Sequence, residues 1–295
     1  MIVVLGSTNT DMVISGAKIP VPGETVCGGS FMMNPGGKGA NQAVAVARLA
    51  AKKGQCTFIA KVGDDLFGRE TAARLAADRI DAKLVVDKKV ASGTALILVD
   101  PKGQNCISVA LGANGTLVPK DVKKFAKDIQ SADALLLQLE TPLETVLWAA
   151  QTAHAKKVPV VLNPAPAAKL PKELYGCLDW ITPNETEAEL LTGVKVVDLA
   201  SAQKAEAVLR KRGVGNVVIT LGSKGCYAAG KIHPCVKVKA VDTVAAGDTF
   251  NGAFVVALAE GKNVDEAIAF AQKASAIAVT RPGAQSSVPC RREIK

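Results

Sequence analysis

The stretch DTVAAGDTFNGAF, residues 242–254, places Asp248 at the start of an apolar helical pattern. Phe250, Ala253, Phe254, Ala257 and Leu258 follow at the i, i+3, i+4, i+7 and i+8 spacing of one buried helix face. Two roles suit Asp248 there. Aspartate is a favoured N-cap. A helix N-terminus, with unpaired N–H groups and a partial positive charge, is also a site for an anion. Ala245, Ala246 and Gly247 carry almost no side chain, so an anion can approach that backbone closely. On these residues alone both readings stand.

A second small-residue element, NPGGKGANQA at 34–43, also leads into a helix. Gly36, Gly37 and Gly39 permit close backbone approach. Lys38 supplies a cation, and Asn41 a donor and an acceptor. A plain loop before a helix has the same composition. Asp11 in GSTNTD, Glu140 ending LLLQLE, Asn184 ending DWITPN, and TLGSKG at 220–225 each set polar groups just past a strand. That is where open α/β sheets bind ligands, although caps and turns use the same residues. Glu187 in NETE either complements a helix dipole or holds Mg²⁺ through water. There is no GxxxxGK[ST], no helix-opening GxGxxG, no HExxH and no GxSxG. The two histidines are His154, read as a surface residue, and His233.

These residues hang on an alternation of strands and helices. Strands are expected at 1–6, 56–63, 132–140, 158–166, 178–184 and 216–222. Helices are expected at 39–54, 68–79, 141–157, 185–192, 200–212, 247–261 and 264–280, with Gly54 stopping the first. This is an α/β class with a mostly parallel sheet covered on both faces. Two stretches break the rhythm. Residues 11–35 are rich in Pro and Gly. Residues 83–111 contain KLVVD, GTALILVD and NCISVAL, with a hairpin turn at DPKGQ. Together they read as a small antiparallel sheet standing off the main one.

Composition sets outer limits. The chain of 295 residues is 48% hydrophobic and 21% charged, enough for one large domain with a real core. No apolar run reaches membrane-spanning length, and MIVVLGSTNTD reads as a strand rather than a leader, so a cytoplasmic protein is expected. The formal net charge of +9 raises nucleic-acid binding, but the basic residues come in pairs and triplets and aromatics are only 4%. A solvated surface is the expectation, with no nucleic-acid and no membrane partner. The seven cysteines never fall in a CxxC spacing. They are expected to be mostly small buried hydrophobes.

NPGGKGANQA and DTVAAGDTFNGAF resemble the two signature regions of the ribokinase-like carbohydrate kinases. GSTNTD, LETP, NPAP, NETEAELLTG, TLGSKG and AIAVTRPGAQSSVP follow in the order of that family, so the resemblance spans nearly the whole chain. It implies a single domain over 1–295 with a three-layer ribokinase-like fold: a central sheet flanked by helices and a small β-sheet lid, here about 11–35 and 83–111. It implies ATP-dependent phosphorylation of a sugar, D-ribose at O5. A 2-deoxyribose, nucleoside or other sugar kinase, or a non-catalytic sugar-binding protein, is the alternative. Ala95 and Ile107 fit a sugar pocket without deciding between these.

The resemblance also implies roles. Asn9, Asp11, Gly37, Lys38, Asn41 and Glu140 would bind the sugar. Asp248 would be the catalytic base, and Ala245, Ala246 and Gly247 the anion hole. Asn184, Thr220, Gly222, Ser223 and Gly225 would bind ATP, and Glu187 would support Mg²⁺. Asp242, Val244, Ala278, Arg281, Gly283 and Ser287 would hold a monovalent cation, K⁺. A homodimer through the lids is implied. Two positions depart from the family pattern. Val244 stands where threonine is frequent, and Gln272 where a histidine near the adenine is expected.

Overall fold

The computed structural model describes residues 1–294. The chain opens with β1 (Ile2–Leu5), β2 (Asn9–Ser15) and β3 (Ser30–Gly36), then α1 (Lys38–Leu49), β4 (Cys56–Gly63), α2 (Leu66–Ala77) and β5 (Asp81–Asp87). The strands β6 (Gly93–Val99) and β7 (Asn105–Ala110) precede two short helices, α3 (Pro119–Val122) and α4 (Ala126–Gln130). Next come β8 (Ala134–Leu137), α5 (Leu143–His154), β9 (Val160–Leu162), α6 (Lys172–Tyr175), β10 (Trp180–Ile181), α7 (Glu185–Thr192) and α8 (Leu199–Lys211). The remaining elements are β11 (Asn216–Thr220), β12 (Cys226–Ala228), β13 (Lys231–His233), α9 (Ala246–Ala259) and α10 (Val264–Ala278).

The large sheet has the order β13-β12-β11-β10-β9-β8-β1-β4-β5. It is parallel from β11 to β5, and β12 and β13 are antiparallel. Burial on both faces explains the apolar runs. In β1, Val3 and Leu5 face the core shared with α5, α7 and α8, while Ile2 and Val4 face the core shared with α1, α9 and α10. The connections diverge at β1, which lies between β8 and β4. Such a switch point opens a crevice at the carboxyl ends of the strands.

The helices α1 and α9 lie unusually close. A β-carbon added to Gly252 would stand 2.5 Å from that of Ala45. No larger residue fits between them, and the contact holds the middle of α1 against the middle of α9.

Four strands, in the order β3-β2-β6-β7, form the small sheet. Cross-strand partners share a face. Asp11 pairs with Asn34 and Ala95, and Val13 with Met32 and Ile97, so one face carries Asp11 with Ala95 and, through the Ile97 pairing, Ile107. The other face carries Met12, Met33, Leu96, Ile14 and Phe31. Asp100 accepts main-chain hydrogen bonds from Lys102 and Gln104 in the turn joining β6 and β7, as DPKGQ suggests.

Several expectations change. The first helix ends at Leu49, not Gly54: the apolar face runs out, Ala50 turns extended, and 51–54 are exposed. KLVVD belongs to β5 on the edge of the large sheet, where it covers the hydrogen-bonding edge of β4. The small sheet is not purely antiparallel, because β2 and β6 run parallel. The three-residue strands β12 and β13 and the short helices α3, α4 and α6 are too brief to leave a periodic signal. Three cysteines, Cys56, Cys177 and Cys226, are buried, but Cys27, Cys106 and Cys290 are exposed and Cys235 is intermediate. Mostly buried was therefore wrong. His154 is exposed. Among the described residues no helix is long and apolar enough to cross a membrane.

Candidate active site

Asp248 does not cap its helix. The N-cap of α9 is Ala245, in left-handed conformation with φ 57° and no side-chain bond, and Asp248 is the third helical residue. Its carboxylate turns instead toward α1. Asn41 Nδ2 donates to Oδ2 at 2.9 Å, and Gln42 Nε2 donates to Oδ1 at 2.9 Å. Asp248 is only 7% exposed. Burial raises its pKa, Lys38 and the two amides oppose that, and Glu140 adds to it. The main-chain N–H groups of Gly247 and Asp248 have no acceptor among the described residues. The cap reading thus fails, and a helix N-terminus free to receive an anion remains.

A train of buried amides backs the carboxylate. Gln42 Nε2 also donates to Asn163 Oδ1 at 3.0 Å, and its Oε1 accepts from Gln138 Nε2 at 2.5 Å. Asn163 Nδ2 donates to the Thr182 carbonyl at 3.3 Å. Thr182 Oγ1 donates to Asn251 Oδ1 at 2.5 Å, and Asn251 Nδ2 donates to the Gly247 carbonyl at 2.8 Å. Sequence reasoning named none of these five residues. The available signal was position: Gln138, Asn163 and Thr182 each follow an apolar strand, β8, β9 or β10, at the same sheet edge.

Asp11 follows β1, as its place in the sequence suggests, and lies within β2 of the small sheet. Burial first, and Glu140 second, raise its pKa to about 6. Asn9 is buried, and its Oδ1 accepts from Asn114 Nδ2 at 2.8 Å. Asn114, also missed, clamps Thr8 through both its N–H and its carbonyl. Glu140 accepts from Ser7 Oγ at 2.5 Å and from the Lys38 N–H at 2.9 Å, which joins β8, β1 and α1 at the switch point. Gly37 is the N-cap of α1. The Lys38 charge acts on both Asp248 and Glu187. Asn41 Oδ1 is buried with no partner. A substrate hydroxyl is the kind of donor it lacks.

Asn184 and Glu187 form a reciprocal capping box at α7: the Glu187 N–H donates to Asn184 Oδ1 at 2.8 Å, and the Asn184 N–H to Glu187 Oε2 at 2.9 Å. Burial raises the Glu187 pKa, and Asp248 contributes to the rise. Asn184 bridges to Thr220 across the strand ends. Gly222 and Ser223 lie exposed in the following turn, and Gly225 is buried. Gln272 is buried on α10, and its Nε2 donates to the His233 carbonyl at 2.9 Å, so its amide N–H is spent on β13.

The last cluster gathers around Asp242. Its Oδ1 accepts from the Val244 N–H at 2.9 Å and its Oδ2 from the Gly283 N–H at 2.8 Å. The Ala278 carbonyl accepts from the Arg281 N–H at 3.0 Å, and the Arg281 guanidinium pairs with Glu293. Ser287 is buried, with its hydroxyl on the Ala284 carbonyl at 2.7 Å. The structure joins Asp242, Val244 and Gly283 directly, but no hydrogen bond ties Ser287 to them among the described residues.

The model of the pfkB family carbohydrate kinases matches residues 1–291. A ribokinase of Haemophilus influenzae is 49% identical over 98% of this chain and 95% of its own. A deoxyribokinase of Salmonella typhi is 38% identical over 98% of this chain and 95% of its own. The solved structure of Arabidopsis thaliana ribokinase complexed with ribose and ATP superposes with a TM-score of 0.92 at 31% identity, covering 99% of this chain and 96% of that one.

Proposed function

This chain belongs to the pfkB family of carbohydrate kinases, and from that premise we propose how its residues divide the work of the reaction. Its activity is the ATP-dependent phosphorylation of D-ribose. The observation that carries the assignment of roles is the buried Asp248 carboxylate, held on both oxygens beside unpaired N–H groups at the start of α9.

In this reading the sugar lies among Asp11, Gly37, Lys38, Asn41 and Glu140, with its primary hydroxyl at Asp248. Asn9 supports the sugar side through Asn114. The O5 proton passes to Asp248 as O5 bonds to the γ-phosphorus. The bond from that phosphorus to the β–γ bridging oxygen breaks, and ADP leaves. The transition state is loose, so positioning and charge stabilisation do most of the work. Burial makes Asp248 a better base than an ordinary carboxylate. The free N–H groups of Gly247 and Asp248, which the small side chains of Ala245 and Ala246 leave open to approach, receive the growing phosphoryl charge without a side chain having to be desolvated. Asn184, Thr220, Gly222, Ser223 and Gly225 line the nucleotide end, to which Gln272 offers only its Oε1.

The donors fit two ions. Glu187 Oε2 accepts from Asn184, and Oε1 has no protein donor among the described residues. A single carboxylate suits Mg²⁺ that keeps most of its water, and the ion would screen the phosphate charge. Asp242 with the main-chain carbonyls of Val244, Ala278, Arg281 and Gly283, and with Ser287, is an all-oxygen set of one formal charge, which suits K⁺. This ion would fix the turn that leads into α9.

The small sheet is the lid, and its outer face packs against that of a second subunit. Phe31, Leu96, Ile14 and Met33, all large and exposed, support this homodimer. The seven free cysteines fit a reducing compartment, the cytoplasm. ADP release from Mg-ATP in K⁺ buffer, across D-ribose, 2-deoxy-D-ribose, D-fructose, D-xylose and adenosine, tests the assignment. Turnover is expected to be strongest with D-ribose. A preference for 2-deoxy-D-ribose would keep the mechanism and reassign the sugar.

A further inference from the structure

We infer that Gln42 is a positioning residue for phosphoryl transfer, fixing the plane of the Asp248 carboxylate from behind without touching the substrate. The inference rests on the reading of Asp248 as the base.

Three observations carry it. First, Gln42 is fully buried, and its amide is spent on protein: Nε2 on Asp248 Oδ1 at 2.9 Å and Asn163 Oδ1 at 3.0 Å, Oε1 on Gln138 Nε2 at 2.5 Å. Its neighbour Asn41 differs, because Asn41 Oδ1 is left free for a ligand. Second, the surroundings fix which way the Gln42 amide points. Turned over, its oxygen would face two acceptors, Asp248 Oδ1 and Asn163 Oδ1, and its nitrogen would face the Gln138 donor. Third, Asn41 holds the other carboxylate oxygen at 2.9 Å. The last torsion of an aspartate is otherwise broad. A donor on each oxygen removes that freedom, as an acceptor aimed at one hydroxyl requires.

The test is a double-mutant cycle read in kcat and KM. Gln42→Met keeps the length of the side chain and removes both polar atoms. We expect kcat to fall about 10- to 100-fold, with KM for ribose and for Mg-ATP changed less than about threefold. In the Asp248→Asn background the same substitution should change the residual rate less than about twofold, since the carboxylate it positions is gone. A general weakening of the fold would instead multiply through both backgrounds, or move KM. If Gln42→Met does not fold, Gln138→Leu replaces it. That variant frees the Gln42 oxygen and should lower kcat about 3- to 10-fold, again only where Asp248 is present.

Losses of equal size in both backgrounds, or a wild-type kcat in the Gln42 and Gln138 variants, would overturn the inference and leave Asp248 as the base. Near-normal turnover of Asp248→Asn itself would overturn the base assignment, and the positioning role with it.

Discussion

Gly36 lies against Asp11 so closely that a β-carbon on it would stand 2.2 Å from Asp11 Oδ2. The paired strands β2 and β3 bring the two together, opposite Asn34. The glycine gives the carboxylate its room, and the same enclosure strips water from it. With Glu140 nearby, the Asp11 pKa rises from 3.8 to about 6.

That rise fixes a sign. The folded chain holds the Asp11 proton to higher pH than the unfolded chain does. The contribution of Asp11 to stability is therefore best at low pH and declines between about pH 4 and about pH 6. Asp11→Asn should raise the melting temperature at pH 8 by a few degrees, for a gain of about 1–3 kcal/mol. The gain should vanish below about pH 4. Ribose affinity should fall in the variant. In the wild type, KM for ribose should rise as pH falls through about 6, as the acceptor is protonated. Calorimetry and initial rates across pH check both.

Asp248→Asn should retain ribose and ATP binding and lose turnover by about three orders of magnitude or more. The amide keeps the volume but cannot take the proton. Titration calorimetry beside a single-turnover assay separates binding from chemistry.

If Asp242 organises a cation, K⁺ should support a rate well above that in Na⁺ or in a bulky organic cation. Asp242→Ala should lower the rate and flatten that difference. Equal rates in all three salts would remove the ion from the account.

The exposed side chains on the outer face of the small sheet should hold two copies together. Leu96, at 56% exposed, and Phe31, at 60%, are the test positions. Leu96→Glu or Phe31→Glu should shift the species seen by analytical ultracentrifugation from dimer to monomer, because a charge cannot be desolvated cheaply in such a contact. A wild-type chain that sediments as a monomer would refute the dimer outright.

Gly252→Ala should cost about 1–3 kcal/mol of stability, since its methyl group overlaps Ala45 and the helices must part. It should also lower kcat more than a remote substitution of equal cost, because Asn41 and Gln42 ride on α1.

Local chemistry made much of this readable in advance. The capping box at Asn184 and Glu187 marks the start of α7, and the left-handed Gly193 its end, so Glu185–Thr192 is found to the residue. The apolar strands needed only their burial. What local pattern could not show is set by distant neighbours. Asp248 looks like a cap in isolation, and only α1 draws it away. KLVVD alternates no differently from the strands of the small sheet, and the free edge of β4 decides where it pairs. The amide train behind Gln42 joins three strand ends to α9, and no spacing along the chain encodes that meeting.

The bond between Asn41 and Asp248 spans 207 residues of chain. All thirteen strands precede α9, so every strand of both sheets is made before that helix. During synthesis the part carrying Asn41 and Gln42 therefore emerges first, before Asp248 is there to bond and before α9 covers its side of α1. If Asp248 is the base, turnover should wait for α9, which begins at Ala246 and so leaves the ribosome late. A product interrupted before α9 would lack Asp248 and would bare the part of α1 that α9 covers, apolar surface of the kind that makes incomplete chains aggregate.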